Sequence, residues 1–91
     1  MSERQFIEWI FGDYHLEGDA AANLAEVRAD EDVVLLSFWL VEGDREETKK
    51  QLAAGRVTSG EVGTRVTQVA LAADDAGLLA DLLSRAAQAA R

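Results

Sequence analysis

The stretch Val33–Val41, V-V-L-L-S-F-W-L-V, decides how this chain is built. Ser37 is its one polar member, and acidic segments bracket it, Asp30-Glu31-Asp32 before and Glu42-Gly43-Asp44 after. Read as a strand, it places Val33, Leu35, Trp39 and Val41 on one side and Val34, Leu36, Phe38 and Leu40 on the other. A strand that is wet on one face alternates apolar with polar residues. This one does not, so both of its faces need cover, from the chain's own helices or from a second copy.

Upstream, Leu24–Ala29 is followed at once by the acidic turn and the apolar strand, which reads as a hairpin with strands at 23–29 and 33–41. Asp19 before three alanines offers a competing helix start. The N-terminal segment also reads two ways. Ser2 with Gln5 fits a capping box and Gly12 a helix C-cap, but Phe6-Ile7-Glu8-Trp9-Ile10-Phe11 is rich in aromatic and β-branched residues. The strand reading is preferred, running on through Tyr14 and Leu16 to a turn at Glu17-Gly18-Asp19.

Downstream, Asp44 and Glu47 stand at capping-box spacing and Gly55 closes the segment, giving a helix with acidic residues in its first turn and Lys49 and Lys50 further on, as the helix dipole favours. Leu52 is its main apolar residue, so it belongs on the surface. Residues 56–60 read as a loop and 61–72 as a strand, with Val62, Thr64, Val66, Gln68 and Ala70 on one face and Arg65, Thr67, Val69 and Leu71 on the other. Asp74 or Asp75 caps a last helix to about Ala90, where Leu79, Leu82, Leu83, Ala86 and Ala90 form a one-sided stripe. Asp81 and Arg85 make an i, i+4 surface pair on it. The expected fold is α+β: an antiparallel sheet of about four strands, in chain order β-β-β-α-β-α, with a C-terminal amphipathic helix on one face.

Ninety-one residues make one domain, near the lower limit for a self-sufficient core, and 48% apolar content argues against disorder. The absence of cysteine excludes disulfides and thiolate metal sites and suits a reducing cytoplasm. No apolar run is long enough to cross a bilayer, and the start of the chain lacks a signal peptide's pattern, so the expected location is cytoplasmic. Sixteen alanines, and seven arginines against two lysines, suggest a GC-rich bacterial or phage genome. The net charge of −8 is uneven, since residues 1–47 hold thirteen acidic and three basic side chains, or −10, leaving +2 for residues 48–91. Such a field repels nucleic acid and anionic lipid, and suits head-to-tail self-association or a basic protein partner.

Little in the chain signals chemistry. His15 is the sole histidine, and Asp13 or Glu17, two residues away, could orient it as a general base in a pocket lined by Trp9 and Trp39. An ordinary strand histidine beside surface acids explains the same residues more simply. One histidine without cysteine is too few ligands for zinc. Asp30, Glu31 and Asp32, with Glu42, Asp44, Glu46 and Glu47, offer oxygen ligands, but calcium-loop spacing is missing and solvated turns suffice. Gly55, Gly60 and Gly63 match neither a phosphate loop nor a nucleophile elbow. No cofactor is expected.

Three functions fit. The first is a non-enzymatic interaction domain, homodimeric, with Trp9, Phe38 and Trp39 as interface anchors. The second is an acidic mimic of nucleic acid that binds a basic cleft through the seven carboxylates from Asp30 to Glu47. The third is a small acid–base enzyme using His15. The first is preferred, because a strand apolar on both faces is served by only two covering helices, one of them weakly apolar.

Overall fold

In the computed structural model, the described residues are 6–91, so the Ser2–Gln5 capping alternative lies outside them. The chain runs β1 (Ile7–His15), a 3-10 turn (Glu17–Asp19), β2 (Ala21–Asp30), β3 (Val33–Val41), α1 (Arg45–Ala53), α2 (Ser59–Val62), β4 (Gly63–Ala72) and α3 (Ala73–Ala89). The strands form one antiparallel meander in the order β1-β2-β3-β4. This is the expected α+β sheet with a helix after its last strand, and β3 has the bounds read from its apolar run.

The β2–β3 hairpin closes over two residues, Glu31 and Asp32, between the pair Asp30 and Val33. Glu31 takes a φ of 57°, the left-handed geometry such tight turns demand. Gly12 is no helix cap. It sits in an irregularity of β1 between Phe11 and Tyr14, where the Tyr14 ring folds over it. A Cβ at Gly12 would lie 3.0 Å from that ring, so the residue is small to let the tyrosine lie flat.

Register divides the sheet into two faces. Ile7, Trp9 and Phe11 pair with Arg28, Glu26 and Leu24, which pair in turn with Leu35, Ser37 and Trp39. This face is covered by α1 and α2, whose Leu52 joins Leu24 and Val41 at the centre of the core, with Trp9, Phe11, Trp39, Val57 and Val62 around them. The other face carries Ile10, Ala25, Val27, Val34, Leu36, Phe38, Leu40, Val69 and Leu71. Ser37 is the polar residue in the apolar run because it faces the sheet's own cross-strand partner: it is 2% exposed and accepts a hydrogen bond from Gln68 Nε2 at 3.0 Å.

Four local expectations need correction. Residues 59–62 are a helical turn, so β4 begins at Gly63. The turn is fixed by the spacing Thr58 to Glu61, where the Thr58 N–H and hydroxyl donate to Glu61 Oε1 at 2.8 and 3.1 Å. The last helix starts at Ala73 without a side-chain cap, Asp74 and Asp75 lying inside its first turn. Its first N–H reaches back instead, Ala73 donating to the Asp32 carbonyl at 2.8 Å. Third, Asp44 caps α1 through the N–H groups of Glu46 and Glu47, but the Glu47 carboxylate accepts from Gln51 rather than completing a box. Fourth, a register shift between Phe38 and Trp39 breaks the alternation in β4: Arg65 pairs with Trp39 and Gln68 with Ser37, so both belong to the covered face.

Candidate interaction surface

On the covered face, the structure assembles a polar cluster. Glu26, 4% exposed, stands on β2 between Leu24 and Arg28. Its Oε2 accepts from the Ser59 hydroxyl at 2.5 Å and from Trp9 Nε1 at 2.9 Å, and Trp9 Nε1 also lies 3.1 Å from Ser59 Oγ. The Arg28 guanidinium lies 3.9 Å from the other carboxylate oxygen. These groups border a small open cavity of about 190 Å³ with Ile7, Leu52 and Val57. A buried charge is tolerated where its lone pairs are met by donors. Here a strand carboxylate clamps α2 to the sheet. The signal for it was the pattern Leu24-Ala25-Glu26-Val27, which puts one charge in line with a core leucine.

The open face is different. α3 crosses it, and none of its residues is buried. Ala76, Leu79, Ala80 and Leu83 look onto Val27, Val34, Leu36 and Leu71 across an apolar groove of about 240 Å³. Leu78 and Leu82, one turn apart on a different line of the helix, are 71% and 53% exposed. Beyond the helix, Ile10 is 67% exposed and Phe6, Leu40 and Val69 are exposed as well. Phe38 lies on this face beneath Tyr14, their rings edge to face at 5.1 Å. Burial pushes the Tyr14 hydroxyl above its usual pKa of 10.0. Its O–H donates to the Ile10 carbonyl at 3.0 Å.

The residues singled out in the sequence are dispersed. Trp9, Phe38 and Trp39, expected to anchor an interface together, do not share a face: the two tryptophans pack in the core and only Phe38 faces the open side. Strand alternation accounts for this: Phe38 and Trp39 are neighbours on β3 and point to opposite faces, while Trp9 pairs with Glu26 on the face of Trp39. Asp30, Glu31 and Asp32 lie at one end of β3, and Glu42, Asp44, Glu46 and Glu47 at the other. The eight steps between Val33 and Val41 span roughly 27 Å. Those seven carboxylates therefore form two groups rather than one continuous surface.

His15 is exposed at the end of β1. Asp13 is engaged by Arg45 at 3.4 Å. Glu17 has left the strand for the 3-10 turn, so the shared strand face expected for it does not extend that far. Trp9 and Trp39 belong to the core cluster. Among the described residues, no group of three or more His, Asp or Glu side chains is arranged to hold a metal ion, and no helix is long and apolar enough to cross a membrane. Comparison with protein-family models, curated proteins and solved structures finds no match to this chain.

Proposed function

We propose that this chain is a non-enzymatic protein-interaction domain that works as a homodimer, in a bacterial or phage setting and a reducing cytoplasm. One observation carries the reading: a seventeen-residue helix rich in leucine lies over an apolar sheet face with no residue of its own buried. Leu78, Leu79, Leu82 and Leu83 are all exposed, and Leu79 and Leu83 border an apolar groove with Val27, Val34, Leu36 and Leu71 of the sheet. Exposed apolar surface on this scale marks a partner site. The internal core is correspondingly small. Among the described residues its buried apolar members are Ala22, Leu24, Ala25, Val41 and Leu52. A second copy supplies the missing cover in the simplest way, because the same leucine-bearing surface is present on both partners.

Sedimentation equilibrium at micromolar protomer concentration tests this. The expected mass is twice 9.9 kDa. The double variant Leu78→Lys, Leu82→Lys should run as a monomer with unchanged far-ultraviolet circular dichroism, since exposed substitutions on a helix typically change stability by no more than about 0.5 kcal/mol. A wild-type mass of 9.9 kDa across the concentration range would remove the proposal.

A further inference from the structure

The sheet ends in two edges, and they are built differently. β1 carries Glu8 and Asp13, is interrupted by the irregularity between Phe11 and Tyr14, and has α1 against it. Charges and bulges of this kind discourage another strand from adding. β4 has none of these defences along Thr67–Ala72, a run of T-Q-V-A-L-A with neither charge nor proline. Its one charged residue, Arg65, lies at the far end beside the register shift. Eight of its ten residues, all but Val66 and Leu71, are either glycine or exposed.

The geometry points to the β4 edge as the dimer seam: we propose that β4 pairs antiparallel with β4 of a second copy, joining two four-stranded sheets into one of eight. This rests on the homodimer reading and adds the surface through which it forms. The twofold axis of an antiparallel strand pair stands perpendicular to the sheet. It therefore leaves both α3 helices on the same face, flanking the seam, where Leu78 and Leu82 of the two copies can cover one another. Pairing β4 with itself uses up both unguarded edges, so the assembly closes at two and leaves only the defended β1 edges outside.

Area and charge agree with a second copy as the occupant. A folded monomer of this mass exposes about 5,200 Å², whereas this chain exposes 7004 Å². The excess, about 1,800 Å², is more than the roughly 800 Å² that each partner buries in a stable interface. Residues 63–91 hold three acidic and three basic side chains, so this region is neutral in a chain of net charge −8. It is the part of the molecule that does not repel its own copy.

The test is the double variant Thr67→Lys, Val69→Lys, read by sedimentation equilibrium beside the wild type, together with concentration-dependent amide hydrogen exchange of the wild type. Both positions are exposed on the edge strand, and like charges brought together across the seam should weaken the dimer at least about 100-fold. Alternate amides along β4 should slow their exchange as protomer concentration rises, while those of β1 do not change. A wild-type dimer whose mass survives the two lysines, or whose concentration-dependent protection falls on β1, overturns the seam and leaves the homodimer standing. A monomeric wild type removes both. If the variant fails to fold, exchange in the wild type decides alone.

Discussion

Replacing Ser59 with alanine tests the buried clamp most directly. The hydroxyl is removed from a residue 3% exposed that donates to Glu26 Oε2 at 2.5 Å. A hydrogen bond to a charged group contributes about 1.5–3 kcal/mol. The carboxylate keeps Trp9 Nε1 at 2.9 Å and has Arg28 at 3.9 Å, so the loss stays below that of stripping a buried charge bare. Unfolding entropy near 2.1 cal/mol/K per residue gives about 0.19 kcal/mol/K for the whole chain, so the melting temperature should fall by about 8–16 °C. Calorimetry at one fixed protomer concentration is the assay, because any self-association would make the midpoint depend on concentration. Glu26→Leu completes the cycle: it should cost less in the Ser59→Ala background than alone, since a lone Glu26→Leu leaves the serine hydroxyl buried without its acceptor. A midpoint for Ser59→Ala within about 2 °C of wild type would refute the clamp.

Two further outcomes follow from other parts of the fold. Gly63→Ala places a Cβ 2.6 Å from the Leu40 carbonyl oxygen and 2.8 Å from Val41 Cγ2. The backbone must give way, so denaturant unfolding should show a loss of about 1–3 kcal/mol, and an unchanged midpoint would mean that β3 and β4 do not approach so closely there. Tyr14 is the only tyrosine, so tyrosinate absorbance reports it alone. Its burial favours the neutral phenol, and half-ionisation should come above pH 10.0 in the folded protein. With the folded value above the unfolded one, its contribution to stability is complete below the unfolded pKa and is lost as pH rises through the folded pKa. Coincident titration of native and unfolded protein would contradict the packing of Tyr14 on Phe38.

The sequence by itself determined the hairpin, the order of the four strands and two longer helices, and the bounds of β3. These rest on local facts: an unbroken apolar run, acidic turn residues, and glycines at segment ends, all readable within a dozen positions. It also showed that β3 is apolar on both faces, because period-two alternation makes facing a local property. Which side chains meet across the sheet was decided only by tertiary structure. Glu26, Ser59 and Trp9 lie 33 and 17 residues apart in the closest pairings, and nothing local says that α2 will settle on β2. The shifted register opposite Trp39 was equally hidden, because a single extra residue in β4 changes which face Arg65 joins without altering the pattern's composition. The exposure of α3 belongs to the same class. Its leucine stripe is the pattern of a helix packed on one side, and only the tertiary structure reveals that none of its residues is buried.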